Sequence, residues 1–286
     1  MTLETYQNAA DFLLKAQAVL EKNEAANNLM LGIGLRLRNF PEKIKAARYL
    51  ATVTDEHELV VAAVMTPPHK LVVYCEKTEH GEAMELLARD LLADRWGLPG
   101  VLGPSRVAEA FAITWAKVSG ASYRQGMRQR VYELRKVIPP QARCGALRLA
   151  AEDDIELVAS WIFAFTDEAL TGGDMAEARE TAMSKISERD LYIWEDGQPV
   201  AMAAKSRPTT NGIAVNLVYT PPELRRRGYA SACVAALSQL LLDAGWKFCC
   251  LFTDLSNPTS NHIYQQIGYT PVGDFNEYIF DGTTQY

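Results

Sequence analysis

The chain has 286 residues, 48% of them hydrophobic and 22% charged, with a formal net charge of −6. That length is generous for one domain and comfortable for two, and the composition supports an ordinary globular core. The acidic balance argues against a nucleic-acid partner. No apolar run approaches a membrane span, and a start carrying Glu4 and Asp11 does not make a signal peptide.

The expectation is therefore a cytoplasmic protein with no nucleic-acid and no membrane partner. Cys75, Cys144, Cys233, Cys249 and Cys250 are odd in number and lack metal or redox spacing. They read as unpaired, structural thiols, and no metal is implied.

In chain order, residues 3–22 and 28–37 carry helical spacing. Residues 59–65 read as a strand broken by Pro67-Pro68, and 71–75 as another strand. Residues 81–96 form an amphipathic helix with Met84, Leu87, Leu91 and Leu92 on one side, followed by a helix over 107–118. Residues 127–137 look extended and heavily charged. Pro139-Pro140 then interrupts the chain and serves as the expected linker, which gives an N-terminal domain over 1–138 and a C-terminal domain over 145–286.

After the linker come a short strand at 147–149 and a helix capped by Asp153 that runs to about 165. A second helix spans 176–187. The turn Glu195-Asp196-Gly197-Gln198 joins strands 191–194 and 200–206 as a hairpin. An apolar strand over 213–219, a helix over 231–244, a strand over 248–253 and a short helix over 257–267 follow. Gly268 ends that helix, and 278–280 closes the chain as a strand.

The two halves run through the same order of elements. Residues 55–64 and Pro67-Pro68 line up with 195–204 and Arg207-Pro208, and 81–96 parallels 228–246. A structural duplication is expected. The first half has no arginine–glycine turn between strand and helix, so as a copy it has lost a phosphate site.

That turn carries the functional signal. The run is Val218-Tyr219-Thr220-Pro221-Pro222-Glu223-Leu224-Arg225-Arg226-Arg227-Gly228-Tyr229-Ala230. Pro222 ends the strand, because proline cannot continue a ladder. Gly228 lets the backbone approach a ligand without a Cβ, and Ala230 keeps the first helical turn small. A strand, a tight turn and a helix start together point unpaired amides outward at the positive end of the helix dipole, which is a site for phosphate. Guanidinium groups beside it suit outer phosphates.

The run resembles the acyl-CoA signature of the GNAT superfamily of N-acetyltransferases, (Gln/Arg)-x-x-Gly-x-(Gly/Ala), with Arg225, Gly228 and Ala230 at its defined positions. Asn257, Asn261 and Tyr264, closed by Gly268-Tyr269, resemble the second motif of the family. The likeness covers the C-terminal half and is closest to predicted bacterial acetyltransferases carrying an extra N-terminal domain. It implies an α/β fold with a mixed, splayed central sheet flanked by helices. The N-terminal domain is then a degenerate copy of the same fold.

The resemblance further implies acetyl-CoA as cosubstrate and a primary amine, on a small molecule or a protein, as acceptor. The pyrophosphate would rest on the amides of Arg226, Arg227, Gly228, Tyr229 and Ala230. The pantetheine arm would pair with the edge formed by Leu217, Val218, Tyr219 and Thr220, with Asn257 and Asn261 beside it. An amide near Val218 would hold the oxyanion, and the Tyr264 hydroxyl would protonate the leaving thiolate after direct attack by the amine.

The general base has several candidates: Asp167, Glu168, Asp254 and His262, with Asn216 placed to orient but not to accept a proton. Two alternatives stand beside an amine acetyltransferase. One is a tandem-domain transferase of the mycothiol-synthase or aminoacyl-transferase kind. The other is a non-catalytic CoA-binding module. A nucleotide P-loop is disfavoured, since no lysine–serine or lysine–threonine pair follows the glycine.

Overall fold

In the computed structural model, which describes residues 1–43, 47–76, 81–141, 144–170 and 172–281, the chain forms two compact units. One comprises Met1–Val131, Thr253–Ser256 and Pro271–Tyr286. The other comprises Tyr132–Phe252 and Asn257–Thr270. Together they carry β1 (Thr2–Thr5), α1 (Ala9–Leu20), α2 (Asn28–Asn39), β2 (Tyr49–Asp55), β3 (Glu58–Met65), β4 (Leu71–Cys75), α3 (Gly81–Ala93), β5 (Gly100–Pro104), α4 (Ser105–Ser119) and β6 (Ser122–Leu134). These are followed by β7 (Ala146–Leu149), α5 (Ile155–Leu170), α6 (Met175–Ser187), β8 (Leu191–Glu195), β9 (Pro199–Ser206), β10 (Gly212–Tyr219), α7 (Tyr229–Asp243), β11 (Phe248–Asp254), α8 (Pro258–Gln266) and β12 (Thr270–Asp281).

In the first unit the strand order is β1-β2-β3-β4-β5-β12. Neighbours are antiparallel except β4 and β5, which run parallel. Helices α3 and α4 cover one face around Leu87, Leu91, Phe111 and Trp115. Helices α1 and α2 cover the other, around Phe12, Leu31 and Leu50. Covering both faces is why β3 and β4 are apolar along almost their whole length instead of alternating.

In the second unit the order β7-β8-β9-β10-β11 repeats the same pairing pattern, antiparallel until the parallel β10–β11 pair. Helix α7 packs on one face around Val215, Leu237 and Leu251. Helices α5 and α6 pack on the other, around Trp161, Ile162, Met202 and Tyr219. The two units therefore share one plan: two helices between the first and second strands, a hairpin, then a helix between the two parallel strands. The duplicated, mixed α/β sheet expected from the sequence is present.

Local chemistry sets most element ends. Asn8 and Asp174 cap α1 and α6 by accepting the amides of Asp11 (3.0 Å) and Glu177 (2.9 Å). Gly120, at φ 77°, closes α4, and Gly197, at φ 69°, turns the β8–β9 hairpin.

Three expectations need correction, and strand β5 was not anticipated. Asp153 does not cap the helix: it lies inside a 3₁₀ turn, Glu152–Asp154, where Asp154 accepts the Ala151 amide at 2.8 Å, and α5 starts at Ile155. Residues 3–5 belong to β1, paired with β2, and the helix starts only at Ala9. Strand β5 looks like a turn in sequence, being Gly-Val-Leu-Gly-Pro. Its glycines are there because a Cβ on Gly100 would lie 2.3 Å from the Tyr278 carbonyl oxygen, and one on Gly103 2.5 Å from that of Val73. The last strand is twelve residues long instead of three, paired in the first unit with β5.

Candidate functional site

The site is built where β10 passes into α7. Parallel pairing with β11 covers only Gly212, Ile213 and Ala214, opposite Phe248, Cys249 and Cys250. Beyond Ala214 the two strands no longer pair, although β10 continues to Tyr219 and β11 to Asp254. The edge of β10 that faces β11 is therefore open from Val215 onward. A β-bulge in the β9 pairing between Asn216 and Tyr219 adds to this, with Leu217 at φ 48°. The bulge turns Leu217 and Tyr219 toward α5 and α6 and Val218 toward α7.

In the first unit the equivalent strands pair over Leu71–Val72 and Val101–Leu102, and β5 stays close to β4 past that point. Strand β4 is fully buried and pairs with β3 without a bulge. Gly103 of β5 sits so close to β4 that a side chain there would strike the Val73 backbone. The turn that would follow β4, residues 77–80, lies outside the described residues.

After β10, Pro222–Leu224 forms one 3₁₀ turn. Arg226 (φ 61°) and Gly228 (φ 81°) then adopt left-handed backbone on either side of Arg227, and α7 begins. Alternating left- and right-handed residues curl amides inward into an anion-binding concavity. Among the described residues, the backbone amides of Arg226, Arg227, Gly228, Tyr229, Ala230 and Ser231 donate to no protein group, and Gly228 offers no side-chain cap. The next amide, that of Ala232, bonds the Gly228 carbonyl at 3.0 Å.

At the base of the turn lies Thr220, 8% exposed. Its Oγ1 is buried and, among the described residues, has no hydrogen-bond partner. A row of outward amides, one orphaned hydroxyl and an open strand edge suit an extended, amide-bearing phosphate ester.

The arginines divide their work. Arg225 turns back on the fold: its Nε donates to the Thr220 carbonyl at 2.9 Å, its Nη2 donates to both Glu168 oxygens, and its guanidinium lies 5.6 Å over the Tyr219 ring. Arg227 donates to the Glu223 carbonyl at 3.1 Å. Arg226 is exposed. Tyr229 donates to Asp196 at the hairpin tip, 2.8 Å away, and that bond to the carboxylate pushes its phenol upward. Tyr219 is core, tilted against Trp161, so only its backbone lines the opening.

Helix α8 carries the remaining residues expected from the sequence. Asn257 caps it by accepting the Ser260 amide at 3.0 Å. Asn261 donates to the Asn257 carbonyl at 2.7 Å and accepts from Tyr132 at 3.0 Å, so its side chain braces the helix. Tyr264 is 8% exposed, edge-on to Tyr269 and packed in the α7-side core. Burial pushes its phenol well above the ordinary tyrosine value, with the Cys233 thiol acting in the same direction, so the hydroxyl keeps its proton at neutral pH.

Of the base candidates, Glu168 is held by Arg225. Asp254 accepts the Ser256 amide at 2.8 Å, and Asp167 and His262 are exposed. Sequence reasoning did not single out Ser206, which stands across from Ala214; its Oγ and Asn216 Oδ1 are buried and, among the described residues, without hydrogen-bond partners.

Residues 194–279 match the family model described as FR47-like protein. The whole chain superimposes on solved structures at low identity. An acetyltransferase of the GNAT family from Colwellia psychrerythraea is 12% identical, with TM-score 0.58 over 98% of this chain and all of that one. A GCN5-related N-acetyltransferase from Sphaerobacter thermophilus is 14% identical, with TM-score 0.64 over 96% of this chain and 94% of that one. A tandem GNAT protein from the clavulanic acid biosynthesis pathway is 13% identical, with TM-score 0.58 over 99% of this chain and all of that one. No curated protein matches. Among the described residues, no helix is long and apolar enough to cross a membrane, and no cluster of His, Cys, Asp and Glu could hold a metal ion.

Proposed function

We propose that this chain, which shares the fold of GNAT acetyltransferases, transfers an acetyl group from acetyl-CoA to a primary amine in its second unit. The observation that carries the reading is the coincidence of three features along one strand and the turn after it: the end of β10–β11 pairing at Ala214, the bulge at Leu217, and the run of six amides without a protein acceptor after Arg225. Acetyl-CoA supplies the reactive thioester.

In this reading the amides of Arg226 to Ala230 and the Thr220 hydroxyl hold the pyrophosphate. The open edge of Leu217 to Thr220 pairs with the pantetheine arm, and Asn257 flanks it. An amide near Val218 steadies charge on the acyl oxygen. The amine forms the new C–N bond as the C–S bond breaks. Tyr264, kept protonated by burial, gives its proton to the departing sulfur; the proton that the amine sheds passes to solvent, from which the Tyr264 phenolate is reprotonated. Arg225 supports the turn through Glu168 and the Thr220 carbonyl, and Asn261 supports α8 through Tyr132.

Isothermal calorimetry with acetyl-CoA tests the reading, paired with thiol release in the presence of an amine panel. Binding abolished by Gly228→Trp is expected. Absence of acetyl-CoA binding to the wild-type protein would remove the proposal.

A further inference from the structure

Two buried polar atoms in the second unit have no part in the reading above. Ser206 is the last residue of β9, and Asn216 is the last residue of β10 paired with β9 before the bulge. Ser206 stands opposite Ala214 and Asn216 opposite Ala204, so the two are diagonal neighbours on one face. That face is turned toward α5 and α6, where Met202 and Ala204 pack, while Ala203, Ile213 and Val215 pack on the α7 side. Ser206 is only 9% exposed. Its Oγ and Asn216 Oδ1 bond neither each other nor any other group among the described residues. Buried polar atoms left bare side by side are exceptional in a folded protein and call for a partner.

Their place on the strand points to that partner. Asn216 falls in the stretch of β10 that β11 leaves unpaired, and it stands two residues before Val218. Strand rise separates those two positions by about 7 Å. An acyl carbonyl bonded to the Val218 amide, with an attacking nitrogen about 3–3.5 Å from its carbon, fills such a span. Tyr264 packs on the α7 side, so the proton donor and the bare pair lie on opposite faces of the sheet. The nucleophile therefore has one face to itself, and the sulfur leaves toward the other.

The pair also suits one kind of nitrogen. A neutral primary amine has two N–H donors and one lone pair. Two oxygens that accept both N–H groups fix the direction of the lone pair without engaging it. Both oxygens are uncharged, and β9 and β10 contain no carboxylate. Nothing on these strands thus favours the ammonium form, which has no lone pair for attack. A secondary amine has a single N–H and leaves one of the two oxygens bare.

We infer that Asn216 Oδ1 and Ser206 Oγ together hold the attacking nitrogen and select a primary over a secondary amine. This rests on the acetyl-transfer reading and adds to it the residues that aim the acceptor.

The test compares matched amines in thiol-release assays with acetyl-CoA: phenethylamine against N-methylphenethylamine, and ethanolamine against N-methylethanolamine. In the wild type, kcat/KM is expected to favour the primary amine by about tenfold or more. Ser206→Ala and Asn216→Leu should each lower kcat/KM for the primary amine by about three- to tenfold, the size of one lost hydrogen bond. They should lower it less for the N-methyl amine, whose single N–H can use the oxygen that remains, so the preference shrinks. Both variants should bind acetyl-CoA as the wild type does and melt no lower, because each removes a bare buried group. Should Asn216→Leu fail to fold, Ser206→Ala and the wild-type pairs decide. Equal treatment of the paired amines, turnover of neither primary amine by a protein that binds acetyl-CoA, or a preference unchanged in the variants would each overturn the inference. So would variants that melt lower with unchanged kcat/KM, since the pair would then be satisfied by a buried water. In all these cases intact acetyl-CoA binding leaves the acetyl-transfer reading standing, whereas a wild type that does not bind acetyl-CoA removes both.

Discussion

Arg225 grips Glu168 across 57 residues of chain: Nη2 donates to the two carboxylate oxygens at 2.9 and 2.7 Å. The pair ties the end of α5 to the turn after β10 and occupies both oxygens of a carboxylate that the sequence offered as a general base. Both side chains are partly exposed, so solvent screens the pair and its contribution to stability is small. Glu168→Gln is expected to lower stability by less than about 1 kcal/mol and to leave the acidic limb of the pH–rate profile in place. A hundredfold loss of kcat, or disappearance of that limb, would restore Glu168 as the base.

Tyr264 separates acid catalysis from packing. Tyr264→Phe keeps the buried ring and removes only the hydroxyl, so acetyl-CoA affinity should hold. Turnover should fall by about a hundredfold or more, the usual size of a general-acid contribution. Its phenol is raised in the folded state, so the neutral form is favoured and no alkaline loss of activity from Tyr264 is expected below about pH 10. The linked stability is fully present below the unfolded tyrosine value and is lost as pH rises toward the folded one. Unchanged kcat in the phenylalanine variant would dismiss the acid role.

Thr220 gives opposite signs for stability and binding. Its hydroxyl is buried without a partner among the described residues. Thr220→Val should therefore stabilise the free protein or leave it neutral, by up to about 1 kcal/mol, while weakening acetyl-CoA several-fold. Thermal melts with and without acetyl-CoA read both quantities. A variant that melts lower and binds normally would mean that the hydroxyl serves only the fold.

Gly228→Ala probes the turn more gently than a bulky side chain. At φ 81° an alanine is strained by on the order of 1 kcal/mol, and its methyl group crowds the approach to the amides. Acetyl-CoA affinity is expected to drop about tenfold or more for a melting shift of only a few degrees. Hydrogen exchange offers an independent check: acetyl-CoA should slow the amides of residues 226–231. Exchange there that ignores the ligand would contradict the site.

Asp154 sets an acid limit on the second unit. Bonds from Arg148 at 2.7 and 2.9 Å hold its carboxyl below the usual aspartate value, burial opposes this, and the Ala151 amide adds a further bond at 2.8 Å. Arg148 also donates to Glu195, which joins this network to the β8–β9 hairpin. A depressed carboxyl stabilises above its unfolded pKa and loses that contribution as pH falls through the folded one. Stability should therefore decline below about pH 4, and Asp154→Asn should flatten that decline at a cost of about 1–2 kcal/mol at neutral pH. Parallel pH–stability curves for the two proteins would dismiss the linkage.

What the sequence determined by itself was local. The glycine at 228, the proline that stops β10 and the hairpin at Gly197 act through steric and hydrogen-bond rules that span a few residues. They were legible, and so was the repeated order of elements in the two halves. The tertiary structure decided everything that depends on partners far away in the chain. Strand β5 was hidden because its glycines answer to backbone from β4 and β12, not to a turn of their own. The last strand was underestimated because its charged residues pair within a sheet instead of showing an apolar run, as Glu277 does with Lys70 at 3.2 Å and Asp274 with Arg130. The opening beyond Ala214 and the bulge at Leu217 follow from register between strands, and the engagement of Arg225 by Glu168 follows from the packing of α5 against that sheet. Register is fixed by burial summed over a whole face, which no short stretch of residues contains.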